Sequence, residues 1–136
     1  MAFRYRRNFA GDAVLPIKDY VLDPAYAPNA KAGDVVKLVD DKIVKATASD
    51  TQVLGVLEGA EFEGLGRTPV IGKVCPSPFA VYEADYVGTG PLTIGAEYGI
   101  DDNGNVDTDN TTNKIVKIVE VVGGKPYVVI TARQLV

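Results

Sequence analysis

The chain has 136 residues, 46% hydrophobic and 24% charged, with a formal net charge of −4. That is one domain's worth of chain around a single core, and its composition is neither that of a disordered tail nor that of a membrane protein. With no His, no Trp and one Cys, it lacks the parts for Ser/His/Asp or Cys/His nucleophile pairs, imidazole proton shuttles, His-containing zinc or haem sites, an internal disulfide and a CxxC centre. Composition therefore leans away from enzymes.

The charge is unevenly placed. Residues 1–10 hold Arg4, Arg6 and Arg7 and no acid, +3 from side chains, which leaves eleven basic against eighteen acidic groups, −7, for the rest. The arginines interleave with Phe3, Tyr5 and Phe9. A purely solvating tail gains nothing from three exposed rings, so residues 1–12 are expected to form an extended arm that orders on a protein partner, ahead of a single β-rich domain over residues 13–136. Nucleic acid suits that arm less well, because the −7 body would repel the same phosphate backbone. The arm has no apolar run of the length a secretory signal uses, and no segment approaches the roughly 18 apolar residues of a transmembrane helix, so synthesis in the cytoplasm and no membrane partner are expected.

Further along, Gly, Pro, Asn and Asp punctuate short runs of Val, Ile, Leu, Thr and Tyr, the spacing of an all-β domain. Leu22 to Ala32 reads as an extended loop. Val35 to Val39, the Asp40–Asp41 turn and Lys42 to Ala46 form a hairpin. Thr47 to Gln52 is the best place for one helical turn, and little other helix is expected. Val53 to Leu57 is a strand whose central Gly55 signals a bulge or a close backbone approach. Val70 to Val74 and Phe79 to Glu83 follow, with Pro76 and Pro78 kept out of any central ladder by their missing N–H. Glu97 to Ile100 runs into an Asp/Asn-rich turn, from which Val106 begins the return. The clearest pair closes the chain: Lys114 to Val122, the Gly123–Gly124 turn, then Pro126 to Thr131, with apolar groups on both faces that call for cover on both sides. The fold expected is mainly β, a single small barrel or sandwich of short strands.

Candidate chemistries fail on spacing. An EF-hand loop begun at Asp101 would need Gly at its sixth position and Glu at its twelfth, where Val106 and Thr112 stand, so Asp101 to Asp109 reads as a solvated hairpin loop. The glycines at Gly64, Gly66, Gly88 and Gly90 fall in no phosphate-cradling frame. Glu58, Glu61, Glu63, Glu83 and Asp85 offer carboxylate pairs, as any chain with eighteen acids does. Cys75, next to Pro76, reads as a small apolar filler in a reducing compartment. Seven of the eleven aromatic residues are Tyr, a residue suited both to interfaces and to the wet rim of a core.

Ala32 to Gly59, AGDVVKLVDDKIVKATASDTQVLGVLEG, resembles the signature segment of tailed-bacteriophage capsid decoration proteins, also called head cement proteins. The likeness lies in an AGD turn entering a strand, a short hairpin, an Ala- and Thr-rich bend with an Asp, and a VLGV strand, with Gly33, Asp34 and Gly55 as its turn residues. It covers 28 of the 136 residues; Phe62 to Pro69 has no counterpart in it and is left as an exposed loop. Biotinyl and lipoyl carrier domains share a GD turn but need a modifiable-lysine motif that Asp40, Asp41 and Lys42 do not match. SAF-type sugar-binding domains open with a similar AGD phrase, which keeps a small carbohydrate- or ligand-binding β module as the alternative. The resemblance implies a β-tulip-like structural virion protein, not an enzyme and without cofactor or metal. Such a protein binds the major capsid protein on the outer surface of the phage capsid, commonly as a homotrimer, and stabilises the expanded shell. In that setting Phe3, Arg4, Tyr5, Arg6, Arg7 and Phe9 would make the capsid contact, and removing residues 2–10 would leave a folded body.

Overall fold

The computed structural model describes residues 3–8, 17–62, 69–75 and 79–134. Its strands are β1 (Phe3–Asn8), β2 (Lys18–Leu22), β3 (Val35–Val39), β4 (Lys42–Lys45), β5 (Gly55–Phe62), β6 (Pro69–Cys75), β7 (Ala80–Ala84), β8 (Tyr86–Val87), β9 (Glu97–Ile100), β10 (Val106–Asp107), β11 (Val116–Val122) and β12 (Lys125–Ile130). Among the described residues the helical content is one 3₁₀ turn, Ala27–Asn29. The chain is thus mainly β, as its turn spacing predicts.

A closed barrel and a larger sheet make up the described part of the molecule. The first is a five-stranded barrel in the order β2-β4-β3-β5-β6. The second is a seven-stranded sheet in the order β1-β7-β12-β11-β9-β10-β8. Only Asp85 separates β7 from β8, yet β7 pairs with β12 and β8 pairs with β10 at the far end of that order. The sheet must therefore curl so that its last strand, β8, comes back beside the end of β7.

Burial on both sides explains why Val35–Val36, Val53–Leu54, Val56–Leu57 and Val74–Cys75 are adjacent apolar pairs where strict alternation would place a polar residue. Side chains along a strand point to opposite faces in turn. Val36, Leu54, Leu57 and Val74 fill the barrel, together with Leu22 and Ile43. Their chain neighbours Val35, Val53, Val56 and Cys75 face the other way, into a larger core shared with Tyr82, Ile100, Ile115, Ile118 and Val128 of the rolled sheet. The VV, VL and VC dipeptides are the points where one strand serves two cores.

Both predicted hairpins form. Asp40 and Asp41 take φ of 51° and 62°, and Gly123 and Gly124 take 59° and 78°, the left-handed pairs that a two-residue type I′ turn requires. The closing hairpin is covered on both faces only along β12, where Val128, Val129 and Ile130 are all buried; β11 alternates buried Val116 and Ile118 with exposed Lys117 and leaves Val122 exposed. Thr47 to Gln52 makes no helix. It is a bend closed by Asp50 N–H to Thr47 O at 3.1 Å, with the Asp50 carboxylate accepting from Thr47 N–H at 2.7 Å and from Lys37 Nζ at 2.6 Å. Leu22 to Ala32 is more than a loop, because it carries the 3₁₀ turn and buries Tyr26 and Ala27 against the barrel core.

The largest correction concerns the N-terminus. Residues 3–8 are not a free arm but the edge strand of the seven-stranded sheet, antiparallel to β7 with Phe3 opposite Ala84 and Tyr5 opposite Tyr82. The alternation of rings and arginines that suggested a docking segment is equally the period-two pattern of a strand with one face in the core. Phe3 is 1% exposed, and its ring centroid lies 6.0 Å from that of Tyr82, as does that of Tyr5. Phe9, the Phe62–Pro69 loop except for its end residues, Gly64, Gly66, Pro76 and Pro78 lie outside the described residues. Removing residues 2–10 would therefore strip a core side chain from the body. Phe3→Ala should cost about 3 kcal/mol of stability in urea denaturation, the range for emptying a buried Phe site; a loss near zero would mean that β1 is not seated in the core.

Candidate interaction surface

Strand β1 owes its chemistry to a bulge. Its register with β7 shifts between Tyr5 and Arg7, so Arg6 is the extra residue, and two successive arginines can then serve the same face. On that face a row runs across four strands, Arg4 opposite Glu83, Glu83 opposite Tyr127, and Tyr127 opposite Glu120. Arg4 and Arg6 both ion-pair with Glu83, and Arg6 Nε adds a hydrogen bond at 3.1 Å. The Tyr127 hydroxyl donates to Glu83 at 3.4 Å, and the Arg6 guanidinium lies 6.0 Å from the Tyr127 ring centroid. Arg7 reaches Glu120 at 2.9 Å. Lys125 bridges Asp85 at 3.0 Å and approaches Glu83 at 4.0 Å.

Glu83 is the hub, a carboxylate only 8% exposed that collects most of the positive charge of the N-terminal strand. The Arg6 hydrogen bond, reinforced by the Arg4 and Arg6 charges, holds its carboxyl below the usual glutamate range, against a smaller opposing effect of burial.

The motif residues sit at the other end of the same strand. Gly33 takes φ of 97°, a left-handed conformation that favours Gly, and its carbonyl accepts the Phe3 N–H at 3.2 Å. Asp34 is buried at 8% exposure and accepts from the Tyr26 hydroxyl at 2.7 Å and from Lys31 N–H at 3.1 Å. Burial and that carboxylate push the Tyr26 hydroxyl's pKa upward. Gly55 answers the close-approach reading: a Cβ there would stand 2.7 Å from the Cys75 carbonyl oxygen and 3.3 Å from an Arg133 nitrogen. Arg133 Nη1 in turn donates to Leu54 O at 2.9 Å, and burial lowers the pKa of its guanidinium. The structure thus brings the motif turn and the N-terminal strand into contact, while Gly55 works elsewhere, at the seam between the two bodies.

The other candidates fall into structural duties. Asp101 accepts from Asn103 N–H at 3.0 Å and Asn105 N–H at 2.8 Å, Asp107 from Asp109 N–H at 2.9 Å, and Asp109 from the Thr89 hydroxyl at 2.9 Å, so these carboxylates of the acidic loop are spent on turns. Cys75 is fully buried in the shared core. Of the tyrosines, Tyr82 is buried, Tyr26 and Tyr127 bond carboxylates, and Tyr86 is 43% exposed on β8. Among the glycosidase-type carboxylates, Glu83 and Asp85 are held by cations and Glu63 lies outside the described residues. Glu58 is half-buried, and loss of solvation raises its carboxyl pKa.

No family model, curated protein or solved structure matches this chain.

Sequence reasoning named Glu83 only as one acid among many. Its partners lie 77 and 79 residues away, a separation no local pattern encodes. Because the folded state favours the ionised form, the stabilisation from Glu83 is complete above the ordinary glutamate pKa and drains as pH falls through the lower folded value. Glu83→Gln should therefore lower the thermal midpoint at neutral pH, with the gap closing in strongly acidic buffer. A gap that stays constant down to acid pH would remove Glu83 from that role.

Proposed function

We propose that the chain is a capsid decoration protein, a structural virion component. It binds the major capsid protein on the outer surface of a phage shell as a homotrimer and stabilises the expanded form without catalysis or cofactor. The observation that carries this reading is the condition of the segment Ala32 to Gly59, whose three motif residues each have a backbone or burial requirement: Gly33 by its φ of 97°, Asp34 by its buried carboxylate, and Gly55 by the missing space for a Cβ. A short resemblance whose residues are interchangeable would weigh less.

The geometry changes how the contact would be made. Phe3 works from inside, as the anchor of β1, and Tyr5 is half-buried beside it. Arg4, Arg6 and Arg7 keep side chains 47%, 44% and 46% exposed and are the groups of this strand that a capsid surface would meet. Presented on a formed strand, they need no arm to be ordered on binding, which removes an entropic cost. A trimer would multiply such weak contacts by avidity, and an acidic body facing outward keeps densely decorated shells from associating.

Purified protein mixed with empty expanded heads and pelleted should co-sediment in stoichiometric amount. Replacing Arg4, Arg6 and Arg7 together with Ala should weaken that binding by roughly tenfold or more, with a salt-sensitive association rate. No co-sedimentation with any cognate head would refute the reading; full binding by the triple variant would keep the role and move the contact off β1.

A further inference from the structure

A cleft of about 310 Å³ opens between the barrel and the seven-stranded sheet. Lys31 and Asp34 line it from the motif turn and Lys45 from the end of β4, while Asp85 comes from the β7–β8 junction and Asn103 and Asn105 from the loop after β9. Among the described residues, neither the Lys31 nor the Lys45 ammonium group has a hydrogen bond or an ion pair. The carboxylates near them are engaged. Asp85 is neutralised by Lys125 at 3.0 Å, and Asp34 accepts from the Tyr26 hydroxyl and from Lys31 N–H. Asp101 and Asp102 accept backbone N–H groups of Asn103, Asn105 and Ala48 and do not line the cleft. Two lysines against the one charge of Asp34 leave the cleft with a surplus of one positive charge.

The far end of the same hairpin carries the opposite sign. Lys45 stands three residues from Lys42, roughly 10 Å along β4, and between Val39 and Lys42 lies the turn of Asp40 and Asp41. Both acids are exposed and, among the described residues, have no hydrogen bond or ion pair. With Lys42 they sum to −1. Lys42 is flanked in register by Val39 of β3 and Val21 of β2, which are 45% and 49% exposed, so the acidic tip projects from an uncovered apolar pair. Strands β5 and β2 hold the hairpin on its two flanks, which fixes the tip relative to the cleft.

Opposite charges at the two ends of one rigid element favour a head-to-tail contact between copies, because tip against tip or cleft against cleft would set like charges together. We propose that the Asp40–Asp41 tip of one copy seats in the Lys31–Lys45 cleft of the next, and that three such contacts close a ring. The neighbour's carboxylates meet the two uncommitted ammonium groups, and Val21 and Val39 supply the apolar part of the buried area. Ion pairs of this kind are individually weak and screened by salt. Ring closure, in which each chain is held by two neighbours, adds what a single contact lacks. The inference rests on the homotrimer of the proposed function and names its contact, leaving the arginines of β1 to the shell.

The test is sedimentation of the full chain in low salt over rising concentration, together with carbodiimide coupling of a mixture of ¹⁵N-labelled and unlabelled chains. The reagent activates a carboxylate, a lysine amine displaces it as a urea, and an amide link remains that mass spectrometry reads. The chain should reach the mass of three copies, and mixed-label peptides should join Asp40 or Asp41 to Lys31 or Lys45. Asp40→Asn with Asp41→Asn keeps residues that tolerate positive φ. That pair, and separately Lys31→Gln with Lys45→Gln, should raise the concentration for half-association roughly tenfold. Replacing Arg4, Arg6 and Arg7 together with Ala should leave the three-chain species intact. The proposal is overturned by a chain that never reaches three-chain mass up to its solubility limit, by mixed-label links that avoid the tip or the cleft, by double variants that associate like the unaltered chain, or by loss of the three-chain species in the β1 variant. Pelleting with expanded heads tests shell binding separately, so either reading can fail while the other stands.

Discussion

The close approach at Gly55 is the constraint on which the rest of the molecule depends. There the entry to β5 lies against the Cys75 carbonyl, and the Arg133 guanidinium passes beside it to reach Leu54 O. Val53 N–H donates to Ala132 O at 3.0 Å, and Gln134 N–H donates to Val53 O at 2.9 Å, so the tail beyond β12 is laced to the barrel at the same place. Gln134 goes further, exchanging hydrogen bonds with Leu38 N–H at 2.8 Å and Leu38 O at 3.0 Å. A side chain at position 55 would push apart the strands that both cores share, because Val53, Val56 and Cys75 belong to one core while Leu54, Leu57 and Val74 belong to the other.

Around that seam the polar groups are sorted by how well they are paired. Glu83 is covered but supplied with guanidinium partners, and its ionised form is favoured; Glu58 is covered without a cation, and its ionised form is disfavoured. Tyr82, fully buried beside Cys75 and Glu58, has its hydroxyl pKa pushed upward mainly by burial. The two glutamates pull stability in opposite directions with pH: protonation forfeits what Glu83 contributes and relieves what Glu58 costs.

The N-terminal strand ties these regions to the surface. Gly33 O holds its first residue, β7 holds its length, and Glu83 and Glu120 hold its arginines. A basic strand fixed on an acidic body is a different device from a tethered arm: its guanidinium groups are already oriented, and a partner would compete with Glu83 and Glu120 for them. The same motif turn that receives β1 also forms one wall of the cleft through Lys31 and Asp34.

The sequence by itself determined the class of fold and its local punctuation. Runs rich in β-branched residues define strands, Asp40–Asp41 and Gly123–Gly124 define two-residue turns by their tolerance of positive φ, and Glu97 to Ile100 is legible to the residue. The close approach at Gly55 was legible as well, because a lone Gly inside an apolar strand has few other uses. Beyond those two hairpins, tertiary structure alone decided which strands pair, and hence everything that depends on contacts between distant residues. Residues 3–8 carry an alternation that suits a docking arm and an edge strand equally, and only the presence of β7, with Tyr82 for the rings and Glu83 for the arginines, selects the strand. The cleft was illegible for the same reason. Lys31, Lys45 and Asn103 are ordinary surface types until the barrel and the seven-stranded sheet bring them, with Asp85, to one cleft.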